Sequence, residues 1–316
     1  MSQKQEKDMN NSVRLLQSLG LALLIALSLL ACTASKENEA IKIVCTTGML
    51  ADAAQQIVGD FAEVEALMGP GVDPHLYKAT QGDLQKFNQA SLIIYNGLHL
   101  EGKMGEVLEK MARIKPVVAA GEGLGKERIK KVPGTEDIYD PHIWFDVALW
   151  SETVAYMTEE LAKQFPQQRS QFEQNAAAYR KQLDSLHQTV AQQILSIPSE
   201  QRVLVTAHDA FTYFGDAYGI EVRGLQGIST LSEFGLKDVS DLVDFIVARK
   251  IKAVFVETSV SDKALQAVIQ GCTDRGHPVR IGGSLYSDAM GAKGTPEGTY
   301  IGMVNANVSK IVEALK

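Results

Sequence analysis

Between Pro166 and Pro198 the chain contains neither glycine nor a further proline. The run is rich in Gln, Ala, Glu and Leu, residues compatible with helix throughout. Its apolar side chains, Phe172, Ala176, Tyr179, Leu183, Leu186, Val190 and Ile194, recur at intervals of three or four, which places them along one stripe. At about 1.5 Å per residue a helix over the stretch between the two prolines is a rod of roughly 45 Å. A flexible connection would be dominated by Gly and Ser, so whatever lies on either side of this rod is held nearly fixed. His187 falls just off the stripe and is expected to face solvent rather than to act as a ligand.

Both flanks read as alternating strands and helices. Ile41, Ile43 and Val44 are followed by a turn-like Thr46-Thr47-Gly48 and a helical stretch from Met49 to Val58. Val64 to Met68 is stopped by Gly69-Pro70-Gly71, and Leu92 to Tyr95 by Asn96-Gly97. The second half repeats the pattern with Val203 to Val205, Ala253 to Val256 and Val279 to Ile281. Such alternation implies parallel sheets covered on both faces. The expected fold class is α/β: two lobes, 41–165 and 199–316, each with a mainly parallel sheet flanked by helices, joined by one long rigid α-helix over 166–198. With 316 residues, 45% hydrophobic and 22% charged, the chain has material for two such cores.

The first residues read as an address. Lys4, Lys7 and Arg14 precede an apolar run from Leu21 to Ala31, interrupted only by Ser28, which is the order of a signal peptide. The run is shorter than the roughly 20 residues a membrane span needs. Leu29-Leu30-Ala31-Cys32 resembles a bacterial lipobox, in which the Cys thiol is acylated after cleavage. The expectation is a lipoprotein signal peptide over 1–31, lipid attachment through Cys32 and a polar tether over 32–40. The mature protein would then be a membrane-anchored lipoprotein outside the cytoplasm, in the periplasm or on the outer surface of a bacterium. That compartment permits a bridge between Cys45 and Cys272, but the two fall in different halves, and buried free thiols are expected instead.

Composition narrows the chemistry. The net charge is −7, with no basic stretch, so nucleic acid is not an expected partner. Three scattered cysteines make neither a disulfide scaffold nor a thiolate zinc module. The chain lacks G-x-S-x-G, H-E-x-x-H and G-x-x-x-x-G-K-[ST]. What recurs is Asp-Pro-His, in Val72-Asp73-Pro74-His75-Leu76-Tyr77 and in Tyr139-Asp140-Pro141-His142-Ile143-Trp144-Phe145-Asp146. Proline stiffens its own backbone and that of the residue before it, giving each histidine a fixed aim. Taken alone, the repeat is weak evidence for a ligand pair, and the plainer reading is two loop histidines bonded to backbone. His208 lies just beyond the strand Val203 to Val205, at the strand end where open α/β sheets bind ligands, and Asp288 follows the strand ending at Ile281. Four groups from four distant loops suit a cleft between lobes.

These segments resemble the zinc- and manganese-binding receptors that deliver metal to ABC transporters, many of them lipoproteins once described as adhesins. The resemblance runs from about Ile41 to the end and rests on G-V-D-P-H-L-Y at 71–77, D-P-H-I-W-F-D at 140–146, T-A-H-D-A-F at 206–211 and S-D-A-M-G at 287–291. It implies metal ligation by His75, His142, His208 and Asp288, with one Zn²⁺ or Mn²⁺ per chain as transported ligand. It also implies an ABC transporter permease as partner, with the chain acting as a monomer. Gly121 to Asp140 holds no histidine, unlike the loop of many zinc members, and His208 stands where many manganese members have Glu. Three histidines and one aspartate look like the branch reported to bind both metals. Imidazole suits zinc, and Mn²⁺ is lowest in the intrinsic affinity order.

Asp209, Asp146 and Glu257 are candidates to orient the ligand rings, each alternatively a surface or capping acid. His99 could lie near the cleft mouth or be an ordinary loop residue, and His277 precedes Pro278 in a turn. Proton competition for imidazole predicts falling metal affinity below about pH 6.5. Two other readings stand beside capture for transport. One is a zinc hydrolase with Glu257 as base, which requires an open coordination position. The other is a surface adhesin with a structural metal. The chain is expected not to be an enzyme.

Overall fold

Two four-stranded parallel sheets carry the fold, one built before the long helix and one after it. The structure, a computed structural model, describes Met9 and residues 40–316 apart from 133 and 136. The expected signal peptide, Cys32 and all of the tether but Ala40 lie outside the described residues. The first sheet comprises β1 (Lys42–Cys45), β2 (Glu63–Ala66), β3 (Leu92–Tyr95) and β4 (Val117–Ala119) in the order β2-β1-β3-β4. Its helices are α1 (Gly48–Val58), α2 (Gln81–Gln89) and α3 (Gly105–Ala112). After α4 (Val147–Gln164) and α5 (Arg169–Leu195) come β5 (Val203–His208), β6 (Glu221–Gln226), β7 (Ala253–Glu257) and β8 (Arg280–Leu285), in the order β6-β5-β7-β8. These alternate with α6 (Thr212–Tyr218), α7 (Leu236–Arg249) and α8 (Lys263–Asp274), and α9 (Tyr300–Leu315) ends the chain. The second sheet thus repeats the strand order of the first.

The expected rod is α5, 27 residues long or about 40 Å. It is shorter than the proline-to-proline interval because Pro166–Gln168 forms a separate tight turn ahead of it. All seven stripe residues, from Phe172 to Ile194, are buried. They lie in one continuous core with Ile43 and Ile57 from the first half and Leu204, Phe211 and Ile311 from the second. His187 is corrected: half-buried rather than solvent-facing, it sits with Nδ1 3.0 Å from the Tyr218 hydroxyl.

Strand alternation sends the other side chains outward to two smaller cores. Val44 and Ile93 pack under α2 and α3 with Phe87 and Leu108, and Val203 and Val205 pack under α7 and α8 with Ile246 and Val268. Each sheet is thereby covered on both faces, which is why its strands read as apolar runs. Fully burying an apolar side chain contributes roughly 2 kcal/mol, so peeling either half from α5 would expose several such side chains at once. Small rotations are compatible with this packing and wide hinge opening is not.

β4 and β6 are absent from the sequence-based expectation. β4 spans only Val117–Ala119, and β6 is a polar edge strand, Glu-Val-Arg-Gly-Leu-Gln. Gly224 is required there by contact, since a Cβ would meet the Asp209 amide nitrogen at 2.5 Å. Among the described residues Cys45 and Cys272 are buried and not bridged, as expected. No described helix is long and apolar enough to cross a membrane.

Candidate metal centre

His75 sits in the loop after β2, His142 in the loop after β4, His208 at the last position of β5 and Asp288 in the loop after β8. All four lie at the carboxyl ends of the strands, where ligands bind in open parallel sheets. They are at most 2% exposed, and one donor atom from each lies within 4.8 Å of all the others. Asp288 Oδ2 is 3.3 Å from His208 Nε2 and 3.7 Å from His75 Nε2, and Oδ1 is 3.4 Å from His142 Nε2. Donors about 2.0–2.1 Å from a common tetrahedral centre are themselves about 3.3–3.4 Å apart. None of these nitrogens or oxygens has a hydrogen-bond partner among the described residues. Buried polar atoms are otherwise almost always satisfied, so a cluster of orphans aimed at one point is the signature of a site for a cation.

Each Asp-Pro-His segment builds the same turn. The Asp140 carboxylate accepts from the His142 backbone N–H at 3.0 Å, and Asp73 accepts from His75 N–H at 2.8 Å. The intervening proline offers no N–H to compete. Asp140 Oδ1 also lies 2.7 Å from His142 Nδ1, leaving Nε2 to face the centre. Glu257, at the end of β7, acts likewise on His208: Oε1 accepts from the backbone N–H at 2.8 Å and Oε2 lies 2.5 Å from Nδ1. The second contact is close in distance but poorly directed as a hydrogen bond. His75 Nδ1 has no hydrogen-bond partner among the described residues.

The electrostatics follow. Burial opposes a charge on His142, but the Asp140 carboxylate outweighs it and pushes the imidazole up to about 9. His208 is raised in the same way, against its burial, by Glu257 and Asp288. Burial lowers His75 to about 3, with Asp288 opposing and the other two rings reinforcing. Burial raises Asp288, but the His208 and His142 charges hold its carboxyl well below the usual range. The neighbouring carboxylates thus favour the charged imidazolium form of His142 and His208.

Of the acids expected to orient rings, the geometry brings only Glu257 to one. Asp146 caps α4 instead, accepting from Ala148 and Leu149 amides at 2.9 and 3.3 Å. Asp209 accepts from the Thr212 hydroxyl at 3.1 Å and reaches no ring nitrogen. Asp140, passed over in the sequence, takes the role, and the signal for it was its place two residues before the histidine. His99 is exposed, on the wall of a separate cavity of about 780 Å³ that also includes Tyr95, Glu122 and Tyr156. His277 Nε2 lies 2.8 Å from the Ile251 carbonyl and is a structural contact.

Residues 43–314 match the family described as zinc-uptake complex component A, periplasmic (ZnuA). The chain belongs to that family. Among curated relatives of this ZnuA-family chain, a manganese-binding lipoprotein MntA from Bacillus subtilis is 49% identical over 280 residues, covering 88% of this chain and 91% of the relative. A zinc-binding protein TroA from Treponema pallidum is 50% identical over 273 residues, covering 86% and 88%. The solved structure of the periplasmic zinc-binding TroA of Treponema pallidum superposes with a TM-score of 0.85 at 49% identity, covering 87% of this chain and 99% of that one. At about half identity, then, ZnuA-family relatives carry names for either metal.

Proposed function

We propose that the chain is the extracytoplasmic substrate-binding component of a divalent-metal ABC transporter, capturing one Zn²⁺ or Mn²⁺ and delivering it to the permease. His75, His142, His208 and Asp288 are the ligands in this reading, and the observation that carries it is their convergence as buried, mutually facing donors without other partners. Asp140 and Glu257 orient two of the rings. Family membership supports transport, and the two relatives' names leave the metal open. Three imidazoles and one carboxylate favour zinc in intrinsic affinity, while supply in the compartment decides the cargo.

All four donors come from the protein, which supports capture rather than catalysis at an open metal position. Acylation of Cys32 would hold the receptor at the membrane beside its permease. Anaerobic titration with Zn²⁺ and Mn²⁺ separately tests the reading: one site per chain is expected, with zinc the tighter. No binding of either ion would refute it. A Cys32→Ala variant recovered free of the membrane would support the anchor.

A further inference from the structure

The three histidines of the centre are not equally secured. His142 is held by Asp140 at both backbone and ring. Its segment is also tied to the second half by Trp144 Nε1 donating to the Ser287 carbonyl at 3.0 Å, the Tyr300 hydroxyl donating to the Trp144 carbonyl at 2.7 Å, and the Tyr213 hydroxyl donating to the Asp140 carbonyl at 3.1 Å. His208 lies in a central strand and is held by Glu257. Among the described residues His75 has only its backbone N–H on Asp73, and its ring Nδ1 meets no hydrogen-bond partner.

The free oxygen of Asp73 points elsewhere. Oδ2 accepts from the Thr230 hydroxyl at 2.7 Å, and Thr230 belongs to the segment between β6 and α7 in the second half. That segment is itself braced, because Gln226 Nε2 donates to the carbonyls of Thr230 and Ser232 at 2.7 and 2.6 Å. Gln226 is the register partner of His208 in the β5–β6 pair. A path of contacts therefore runs from the end of β5, where the Asp209 N–H donates to the Gln226 carbonyl at 3.0 Å, through Gln226, Thr230 and Asp73 to His75 without passing through the metal position.

We infer that Thr230 is a positioning residue for His75: its hydroxyl, by fixing Asp73 from across the cleft, sets the aim of this ligand and the rate at which metal leaves. The inference rests on the four-ligand reading above.

Stopped-flow transfer of Zn²⁺ from the loaded chain to excess chelator tests it, with Thr230→Val and Thr230→Ala removing the donor and Thr230→Ser keeping it. A hydrogen bond to a carboxylate is strong enough that its loss should speed release by about tenfold or more in the first two variants. T230S should stay within about twofold of wild type in release rate. In a His75→Ala background, adding T230V should change nothing further, since the ligand it positions is gone. Wild-type release rates in T230V and T230A overturn the inference, as does equal acceleration with and without His75. Failure of the wild type to take up zinc overturns the metal-site reading itself.

Discussion

The indole N–H of Trp144 donates to the carbonyl of Ser287 at 3.0 Å, joining the segment that carries His142 to the residue immediately before Asp288. Two of the four proposed ligands, from opposite halves of the chain, are set by one buried hydrogen bond. Trp144→Phe keeps most of the ring and orphans the carbonyl, which costs about 1–3 kcal/mol. The expected result is a lower melting temperature together with zinc affinity reduced by roughly tenfold, read by denaturation and chelator competition. Unchanged affinity would show that the tie matters only to folding.

Glu257 and Asp146 separate orientation from capping. Glu257→Gln removes the carboxylate beside His208 Nδ1 and is expected to weaken zinc binding roughly 10–100-fold. Asp146→Ala removes the cap of α4 and should cost about 1 kcal/mol of stability while leaving affinity within about twofold. Parallel titrations and melts of the two variants check this, and a reversed pattern would exchange their roles.

Proton competition begins higher than imidazole chemistry alone suggests. Asp140 outweighs burial to keep His142 protonated up to about 9 in the metal-free protein, and His208 is raised in the same direction. Entering metal must displace these protons, so affinity should rise with pH through about 9 instead of levelling off above the ordinary 6.5. Metal-free stability has the opposite sign: a folded pKa above the unfolded one contributes stability that is complete below about 6.5 and is lost as pH rises through about 9. Melts at pH 6.5 and 9, with and without saturating zinc, should show a stabilisation by zinc that grows with pH. A constant increment would contradict the assignment.

The buried stripe of α5 limits motion. Because Phe172 through Ile194 share one core with both halves, metal loading should leave the radius of gyration in small-angle scattering nearly unchanged. A marked compaction on loading would mean that the halves separate without metal, against the packing described. Leu183→Ala, at the centre of the stripe, is expected to cost 2–5 kcal/mol of stability without altering the ligand set.

The fold was readable wherever burial made the pattern simple. All seven stripe positions of α5 and the strands Leu92–Tyr95 and Ala253–Glu257 stand out because most of their side chains are apolar and buried. β6 was not readable, since an edge strand holding Glu221, Arg223 and Gly224 obeys contacts with His208 and Asp209 that local sequence does not encode. The four proposed ligands announced themselves through repeated Asp-Pro-His and through strand ends. Their supports did not: Asp146 and Asp209 resemble Asp140 in sequence, and only three-dimensional placement shows Asp140 beside a ring nitrogen while Asp146 caps a helix. The link from Asp73 to Thr230 spans 157 positions and has no local signal at all.

The most direct test of the account is metal content by mass spectrometry of the chain purified without added metal and again after reconstitution, for wild type and for the paired His208→Ala and Asp288→Ala variant. About one zinc or manganese per wild-type chain is expected, with a sharp loss in the paired variant and its fold intact. No stoichiometric metal in the reconstituted wild type, or full retention in the variant, would contradict it.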